Sequence, residues 1–307
     1  MSLSGKKFFG LLVFVVIILL GFSVIKFQSP ESVKSLITNT PVTPLEIKPS
    51  TIYPGDPILI TADPAPSAIL WDNKSLPLFV YERKTRALVP IDINEKVLTH
   101  TVTVKFENGS TTSREVKITP RPKIEKPLGI PEKLGGNTPA AADNLLKNLA
   151  SENFTLNTVK TEPATLWSKA FQYPLTNVFI TDDYGYSRST VGQTITHKGT
   201  DFRAKVGTEV KAMNRGVVRI ARMFTVYGNT VVIDHGQGVQ SLYMHMSQLN
   251  VKEGDTVEKG KIIGLSGDTG YADAAHLHIS VKINSVSIDP MTFLGFFVPM
   301  DVKKFEK

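Results

Sequence analysis

The chain has 307 residues, 41% of them hydrophobic, and a formal net charge of +7 at pH 7, long enough for two domains and a large buried core. It holds no cysteine, which excludes disulfide frameworks, thiolate metal sites, cysteine nucleophiles and a lipid-modified N-terminal cysteine. The positive charge is spread thinly, with a surplus of only +2 over residues 167–299; this argues against nucleic acid as a partner and leaves a mild attraction to an anionic polymer.

In chain order, Lys6 and Lys7 precede an apolar run from Phe8 to Ile25 that ends at Lys26. At ~1.5 Å rise per residue this run spans about 27 Å, close to a bilayer core. The small-x-small cleavage site of a signal peptide is poorly matched by Gly21-Phe-Ser23. Residues 1–26 are therefore expected to be a cytoplasmic end and an uncleaved single-pass anchor in the cytoplasmic membrane. Everything after Lys26 is then extracytoplasmic, on the periplasmic or cell-wall side. Residues 27–43, polar and bearing Ser, Thr and Pro, read as a stalk.

From residue 44 to 120 short apolar runs (Leu45–Ile47, Pro57–Thr61, Ala68–Trp71, Leu78–Tyr81) are parted by Pro, Gly and Asp. Val102, Val104 and Phe106 alternate with polar residues, and Asn108-Gly109 suits a type I′ turn before Val116-Lys-Ile118 returns. These strands predict a small β-sandwich of immunoglobulin-like character. It shows no convergent polar cluster, and its His100 reads as a surface or strand residue. Residues 121–165 form a connector rich in Pro, Gly and Lys with one helix inside, N-capped by Thr138 with Pro139 in its first turn. Leu145, Leu146 and Leu149 give that helix an apolar stripe that must rest on a neighbour. The connector's length, proline content and position place it to lie across a downstream groove and limit access.

Residues 166–299 are again β-rich, with buried strands at Val217–Ile220, Thr230–Ile233 and Leu277–Ile283, and residues 300–307 form a tail. The fold class is thus mainly β. Rossmann, phosphate-loop and Gly-x-Ser-x-Gly signatures are absent. Four of the six histidines fall in three places: His197-Lys-Gly-Thr-Asp201, Leu242-Tyr-Met-His245 and Ala275-His276-Leu-His278. Two histidines and one aspartate from the first and last of these supply three ligands, as a zinc ion needs to keep an open position for water. His276 and His278, two apart in a strand pattern, project from one face. One can bind metal while its neighbour addresses water or substrate.

A longer series of motifs surrounds these residues: His197-Lys-Gly-Thr-Asp201-Phe, Gly207-Thr-Glu-Val210-Lys-Ala212, Tyr227-Gly-Asn229, Val232-Ile-Asp-His235-Gly, Leu242-Tyr-Met-His245-Met-Ser, Ile263-Gly-Leu-Ser-Gly267-Asp-Thr-Gly270, His276-Leu-His278 and Asp289-Pro290. In order and spacing this resembles the catalytic domain of the lysostaphin/LytM-type zinc peptidases, a family of peptidoglycan endopeptidases. The resemblance covers about residues 170–295 and implies an antiparallel β catalytic domain. It implies one Zn²⁺ per catalytic domain held by His197, Asp201 and His278, with His245 and His276 flanking the catalytic water and developing oxyanion. It also implies hydrolysis of amide bonds in peptidoglycan peptide crosslinks, for cell-wall remodelling.

His235 reads as structural. Tyr184-Gly-Tyr-Ser-Arg188 matches the family's aromatic-Gly-x-Arg turn with one extra residue, and Phe202 also departs from the usual pattern; both bear on groove shape. Tyr184, Arg188, Asn229 and Tyr271 are the candidate substrate-groove residues. The turn Gly254-Asp-Thr-Val-Glu-Lys-Gly260 resembles a biotin- or lipoyl-carrier hairpin but lacks the carrier's lysine tripeptide. Two alternatives stand beside the hydrolase: a catalytically silent, wall-binding activator of other wall hydrolases, and a protease acting on envelope proteins. The sandwich is the candidate surface for an envelope protein partner.

Overall fold

The structure, a computed structural model, describes residues 45–298 and 303–304. The anchor and stalk expected over residues 1–43 lie outside the described residues, as does most of the tail. Among the described residues no helix is long and apolar enough to cross a membrane.

The N-terminal part builds eight strands: β1 (Leu45–Lys48), β2 (Pro57–Ala62), β3 (Pro66–Trp71), β4 (Lys74–Ser75), β5 (Phe79–Tyr81), β6 (Lys84–Pro90), β7 (Thr99–Phe106) and β8 (Thr111–Lys117). They form two antiparallel sheets, ordered β1-β2-β6-β5 and β4-β3-β7-β8. Ile58, Ile60, Ala87 and Val89 from the first sheet meet Ile69, Val102, Val104 and Val116 from the second in one buried cluster. Period-2 alternation drives this, since each strand turns every second side chain inward.

The β7–β8 turn differs from the expected type I′. Gly109 has a positive φ of 81° while Asn108 does not, and Phe106 N donates to Ser110 O. This is a three-residue connection with glycine in the left-handed position. Asn108 stays out of that region because its Oδ1 accepts from both Ser110 N and Ser110 Oγ, an arrangement that holds the turn open by one residue.

The connector supplies β9 (Glu125–Pro127) and α1 (Pro139–Asn157). Thr138 caps α1 as expected, its Oγ1 accepting from Ala141 N at 3.2 Å. The C-terminal part then runs β10 (Phe179–Asp182), β11 (Ser187–Thr190), β12 (Gln193–Thr196), β13 (Thr200–Arg203), β14 (Glu209–Lys211), β15 (Gly216–Phe224), β16 (Gly228–Gly236), β17 (Val239–Leu249), β18 (Thr256–Val257), β19 (Ile262–Ser266), β20 (His276–Ile283), β21 (Val286–Ile288), α2 (Pro290–Gly295) and β22 (Lys303–Lys304). Its main sheet is ordered β18-β15-β16-β17-β20-β13-β10-β22, with β19 bridging β17 to β14.

The two parts share a core. Leu59, Phe79, Tyr81 and Leu88 of the first N-terminal sheet join Trp167, Phe171, Phe293 and the sheet interior in one buried cluster. Phe79 meets Trp167 edge-on at 5.6 Å and Tyr81 meets Phe297 at 5.4 Å. Such aromatic pairs add about 0.5–1.5 kcal/mol each beyond the area they bury.

His235 sits in this cluster, fully buried, with Phe171 edge-on at 5.1 Å. Its Nδ1–H donates to Arg215 O, and its Nε2 is bonded to Ser241 Oγ. Burial pushes its pKa down from 6.5 to about 4. As pH falls the unfolded chain therefore takes up this proton first, and the stability His235 permits above pH 6.5 is lost on the way down to about 4. Denaturant unfolding of the full chain, repeated between about pH 6 and 5, is expected to lose stability less steeply for His235→Asn than for wild type. The difference should correspond to one proton, roughly 1.4 kcal/mol per pH unit; equal slopes would show that His235 does not titrate this way.

Candidate functional site

The centre is assembled across a strand pair. β13 and β20 run antiparallel with Asp201 directly opposite His278, and His278 in turn lies opposite Met244 of β17. His197 stands four residues before Asp201, at the end of a short segment tied down by His197 N donating to Tyr186 O and Gly185 N donating to His197 O. Between them Gly199 packs on the imidazole of His278: a Cβ there would lie 2.3 Å from His278 Nε2 and 2.5 Å from Ile279 O. Only a residue without a side chain fits, a requirement the sequence did not reveal.

His197 Nε2, His278 Nδ1 and Asp201 Oδ1 converge. Their separations are 3.1 Å between the two nitrogens, 3.2 Å from His197 to the carboxylate oxygen and 2.7 Å from His278 to it. The outer hydrogen bonds fix what these atoms carry. His197 Nδ1 lies 2.8 Å from Asp183 O, and a carbonyl only accepts, so Nδ1 bears the proton. Ser280 Oγ donates to Lys198 O at 2.8 Å and accepts from His278 Nε2 at 2.9 Å, so His278 is protonated on the outer nitrogen too. Both neutral rings turn bare lone pairs toward a carboxylate.

Three electron-pair donors facing one another call for a cation between them. A tetrahedral zinc ion with ligand bonds of about 2.0–2.1 Å sets its ligand atoms roughly 3.3–3.4 Å apart, a triangle only slightly larger than the one observed. The donor set, two imidazoles and one carboxylate, is also one that zinc accepts. These residues fit that ion.

The electrostatics agree. Burial opposes the charge of Asp201, but the imidazoles of His197 and His278, acting on it as cations in acid, outweigh burial and hold its pKa well below the ordinary value. Burial pushes His278 down to about 4, against the pull of Asp201. Both groups therefore stand in their ligating forms at neutral pH.

His245 and His276 complete the cluster, with ring centroids 4.8 Å apart. His245 occupies a break in β17, where the strand leaves β20 and pairs with β19. Its φ is +61°, a left-handed conformation uncommon for a side-chain-bearing residue; the bulge re-aims the imidazole toward His276 and His278. Its N–H donates to Tyr227 O and its Nδ1–H to Thr269 O. Burial, followed by the charges of His276 and His278, pushes its pKa down to about 3. His276 donates Nδ1–H to Ala274 O, and its Nε2 stands 3.7 Å from Asp201 Oδ1. All four rings thus commit one nitrogen outward and turn the other toward the centre.

The candidate groove residues divide. Arg188 and Tyr271 line both cavities that open on the centre, of about 390 and 400 Å³. The Arg188 guanidinium, however, is spent on carboxylates, donating to Asp201 Oδ2 at 2.5 Å and to Asp182 Oδ2. Asn229 lies at the start of β16, its N–H donating to Thr269 Oγ1, and lines neither cavity. Tyr184 is corrected: it is buried at the junction with the N-terminal sheets, its OH donating to Ser287 O and its ring so close to Gly55 that a Cβ there would lie 2.4 Å away. A tyrosine anchored at both ends cannot face a groove.

The connector borders the site. β9 adds in parallel to the edge of β11, with Lys126 opposite Arg188, and Lys126 Nζ reaches Asp182 Oδ1 at 2.5 Å. Further on, α1 lies over the sheet face: Leu156 packs with Ile220, Val232, Leu242 and Met244. The buried Glu152 carboxylate accepts from Val226 N and Tyr227 N, and Tyr227 OH donates to Asn153 Oδ1. The sequence offered no sign that Lys126 and Glu152 belong to the surroundings of this centre, because their partners Asp182, Val226 and Tyr227 lie more than 50 positions away.

The sequence model for peptidase family M23 matches residues 195–290. Over 95 residues the chain is 40% identical to the peptidoglycan DD-endopeptidase ShyA of Vibrio cholerae, covering 31% of this chain and 22% of that protein. It is 43% identical over 119 residues to the glycyl-glycine endopeptidase ALE-1 of Staphylococcus capitis, covering 36% and 33%. The chain thus spans about a fifth to a third of the length of the curated relatives it matches. A crystal structure of a Pseudomonas aeruginosa protein assigned to peptidase M23 superposes with a TM-score of 0.57 at 22% identity, over 81% of this chain and 97% of that one, and shows a common fold. Every imidazole and carboxylate turned toward the centre falls inside the matched segment, and that segment belongs to peptidase family M23.

Proposed function

We propose that this protein is a zinc metalloendopeptidase that hydrolyses amide bonds in the peptide crosslinks of peptidoglycan. The observation that carries the reading is the convergence of His197 Nε2, His278 Nδ1 and Asp201 Oδ1 with both outer ring nitrogens tied to fixed partners. The names of the relatives ShyA and ALE-1, both endopeptidases, supply the substrate class. The apolar run from Phe8 to Ile25 is read as the membrane anchor that places the catalytic domain outside the cytoplasm.

In this reading His197, Asp201 and His278 hold Zn²⁺. When bound, the ion supplies Lewis-acid polarisation of the scissile carbonyl and lowers the pKa of water. The protein's own groups manage the protons. His245, neutral at pH 7 with a bare Nε2, accepts a proton from the attacking water while Thr269 O holds the ring in that tautomer. His276, with Nε2 turned toward Asp201, is placed to pass a proton to the leaving amine. Arg188 fixes the second oxygen of Asp201 and so presents Oδ1 to the metal.

Digestion of purified peptidoglycan by the zinc-loaded full chain, with products identified by mass spectrometry, is expected to yield new peptide termini. His245→Ala should lower the rate about 10²–10⁴-fold, the usual worth of a general base, and Asp201→Ala should also lose stoichiometric zinc. A wild type that binds zinc stoichiometrically yet releases no peptide, even with α1 loosened as below, would favour the silent activator.

The cover formed by α1 sets the level of activity. Its Glu152 carboxylate is held by two backbone N–H groups on the loop that also positions His245. Removing a buried charged acceptor costs about 1.5–3 kcal/mol per hydrogen bond. Glu152→Ala is therefore expected to raise turnover on peptidoglycan at least several-fold; an unchanged or lower rate at full zinc occupancy would show that α1 does not restrict access.

A further inference from the structure

The site face of β20 carries more than the two histidines. His276, His278, Ser280 and Lys282 alternate along it, so they share one side of the sheet. Lys282 is 4% exposed, yet among the described residues it has no carboxylate partner. Its one hydrogen bond among the described residues is Nζ donating to the neutral Asn157 Oδ1 at 2.6 Å. An ammonium carries three donors and is rarely buried unless paired. Lys282 lines the 390 Å³ cavity that also takes in His197, His245 and His278, and Lys198 lines it as well. Burial, followed by the charge of Lys198, pushes the pKa of Lys282 down to about 8, so it remains charged at neutral pH at a cost that the protein does not offset.

Two explanations compete. Asn157 is the last residue of α1, and a cation near a helix C-terminus is favourable; Lys282 would then merely fasten the helix. That accounts for one hydrogen bond but not for a second cation beside it, nor for the open cavity connecting both to the metal-binding residues. An anionic ligand answers all three. We infer that Lys282, with Lys198, forms a carboxylate-binding subsite of the groove, which recognises a free carboxylate on the peptide substrate.

The register gives the reach. Lys282 lies four residues from His278 on one strand, about 13 Å at ~3.3 Å per residue. An extended peptide with its scissile bond at the metal site would place the recognised carboxylate roughly three to four residues away. This rests on the endopeptidase reading and narrows its substrate: crosslinks flanked by an acidic residue or a free C-terminus at that distance are preferred over neutral bridges.

The test is equilibrium binding of two probes, N-acetyl-tetra-alanine with a free carboxylate and its carboxamide, to the zinc-loaded full chain, by calorimetry in the cold with hydrolysis monitored alongside. The acid is expected to bind at least tenfold more tightly than the amide. Lys282→Met should bring the ratio close to one, Lys282→Arg should keep it, and both should retain stoichiometric zinc. Asn157→Ala, which removes only the helix contact, should keep it as well. A ratio near one in wild type overturns the subsite, as does a preference that survives Lys282→Met and so comes from the metal itself. Collapse of the ratio in Asn157→Ala would assign Lys282 to fastening α1. The two readings fail separately: a tenfold preference without wall hydrolysis leaves the subsite standing alone, and hydrolysis with a ratio near one leaves the peptidase without it.

Discussion

Bare lone pairs on two imidazoles and a carboxylate do not sit within 3.2 Å of one another without strong reason, because each repels the others until a cation intervenes. Most of the surrounding structure can be understood as enforcing that approach. Asp183 O and Ser280 Oγ hold the outer ring nitrogens of His197 and His278. Gly199 leaves the space that His278 fills. His245 accepts a left-handed backbone, at about 1–2 kcal/mol for a residue with a Cβ, because its N–H and Nδ1–H are both bonded to fixed carbonyls. Strain of this kind persists where the neighbours over-determine it.

Charge alternates outward from the same point. Asp201 is followed by Arg188, Arg188 by Asp182, and Asp182 by Lys126 of the connector. Arg188 and Asp182 are only 19% and 15% exposed, so each loses much of its hydration and depends on its partners. Breaking the chain at one member would leave a poorly solvated charge uncompensated. The connector is thereby part of how Asp201 is oriented, although Lys126 lies 75 residues upstream and outside the segment matched by the family.

What the sequence disclosed follows from the range of the interactions. His276 and His278 share a face because strands have a period of two, and that is visible in any apolar strand pattern. Thr138 and Pro139 announced the start of α1 because caps act within three residues. The β7–β8 turn was legible as a turn but not in its type, since one side-chain hydrogen bond from Asn108 selects between geometries that the Asn-Gly pair allows equally. Tyr184 was misplaced because an aromatic next to Gly-x-Ser-Arg gives no hint that the N-terminal sheets pack against it. The connector's place beside the groove was suspected from its length, proline content and position; the leucine stripe of α1 announced a buried face without naming the surface it would meet. The shared core of Phe79, Tyr81, Trp167 and Phe171 was likewise invisible, because nothing local distinguishes an aromatic that fills its own domain from one that joins two.

The character of α1 bears on how the groove can be both covered and used. Of its 19 residues only Ala141, Ala142, Leu145, Glu152 and Leu156 are buried, and Phe154 stands 72% exposed. Two buried leucines contribute about 1.5–3 kcal/mol each, modest beside the entropy of ordering a segment that is marginally helical alone. The remaining attachment is polar, through Glu152, Asn153 and Asn157. Polar contacts exchange for those of water or another ligand at a net cost of about 0.5–1.5 kcal/mol per neutral hydrogen bond and about 1.5–3 kcal/mol where one partner is charged. A helix held this way yields to a peptide that presents carbonyl and carboxylate groups to the same donors, whereas one seated on a continuous apolar face would not. The mixture of thin apolar contact and specific polar contact is what the proposed role of α1, a cover that a groove ligand displaces, requires.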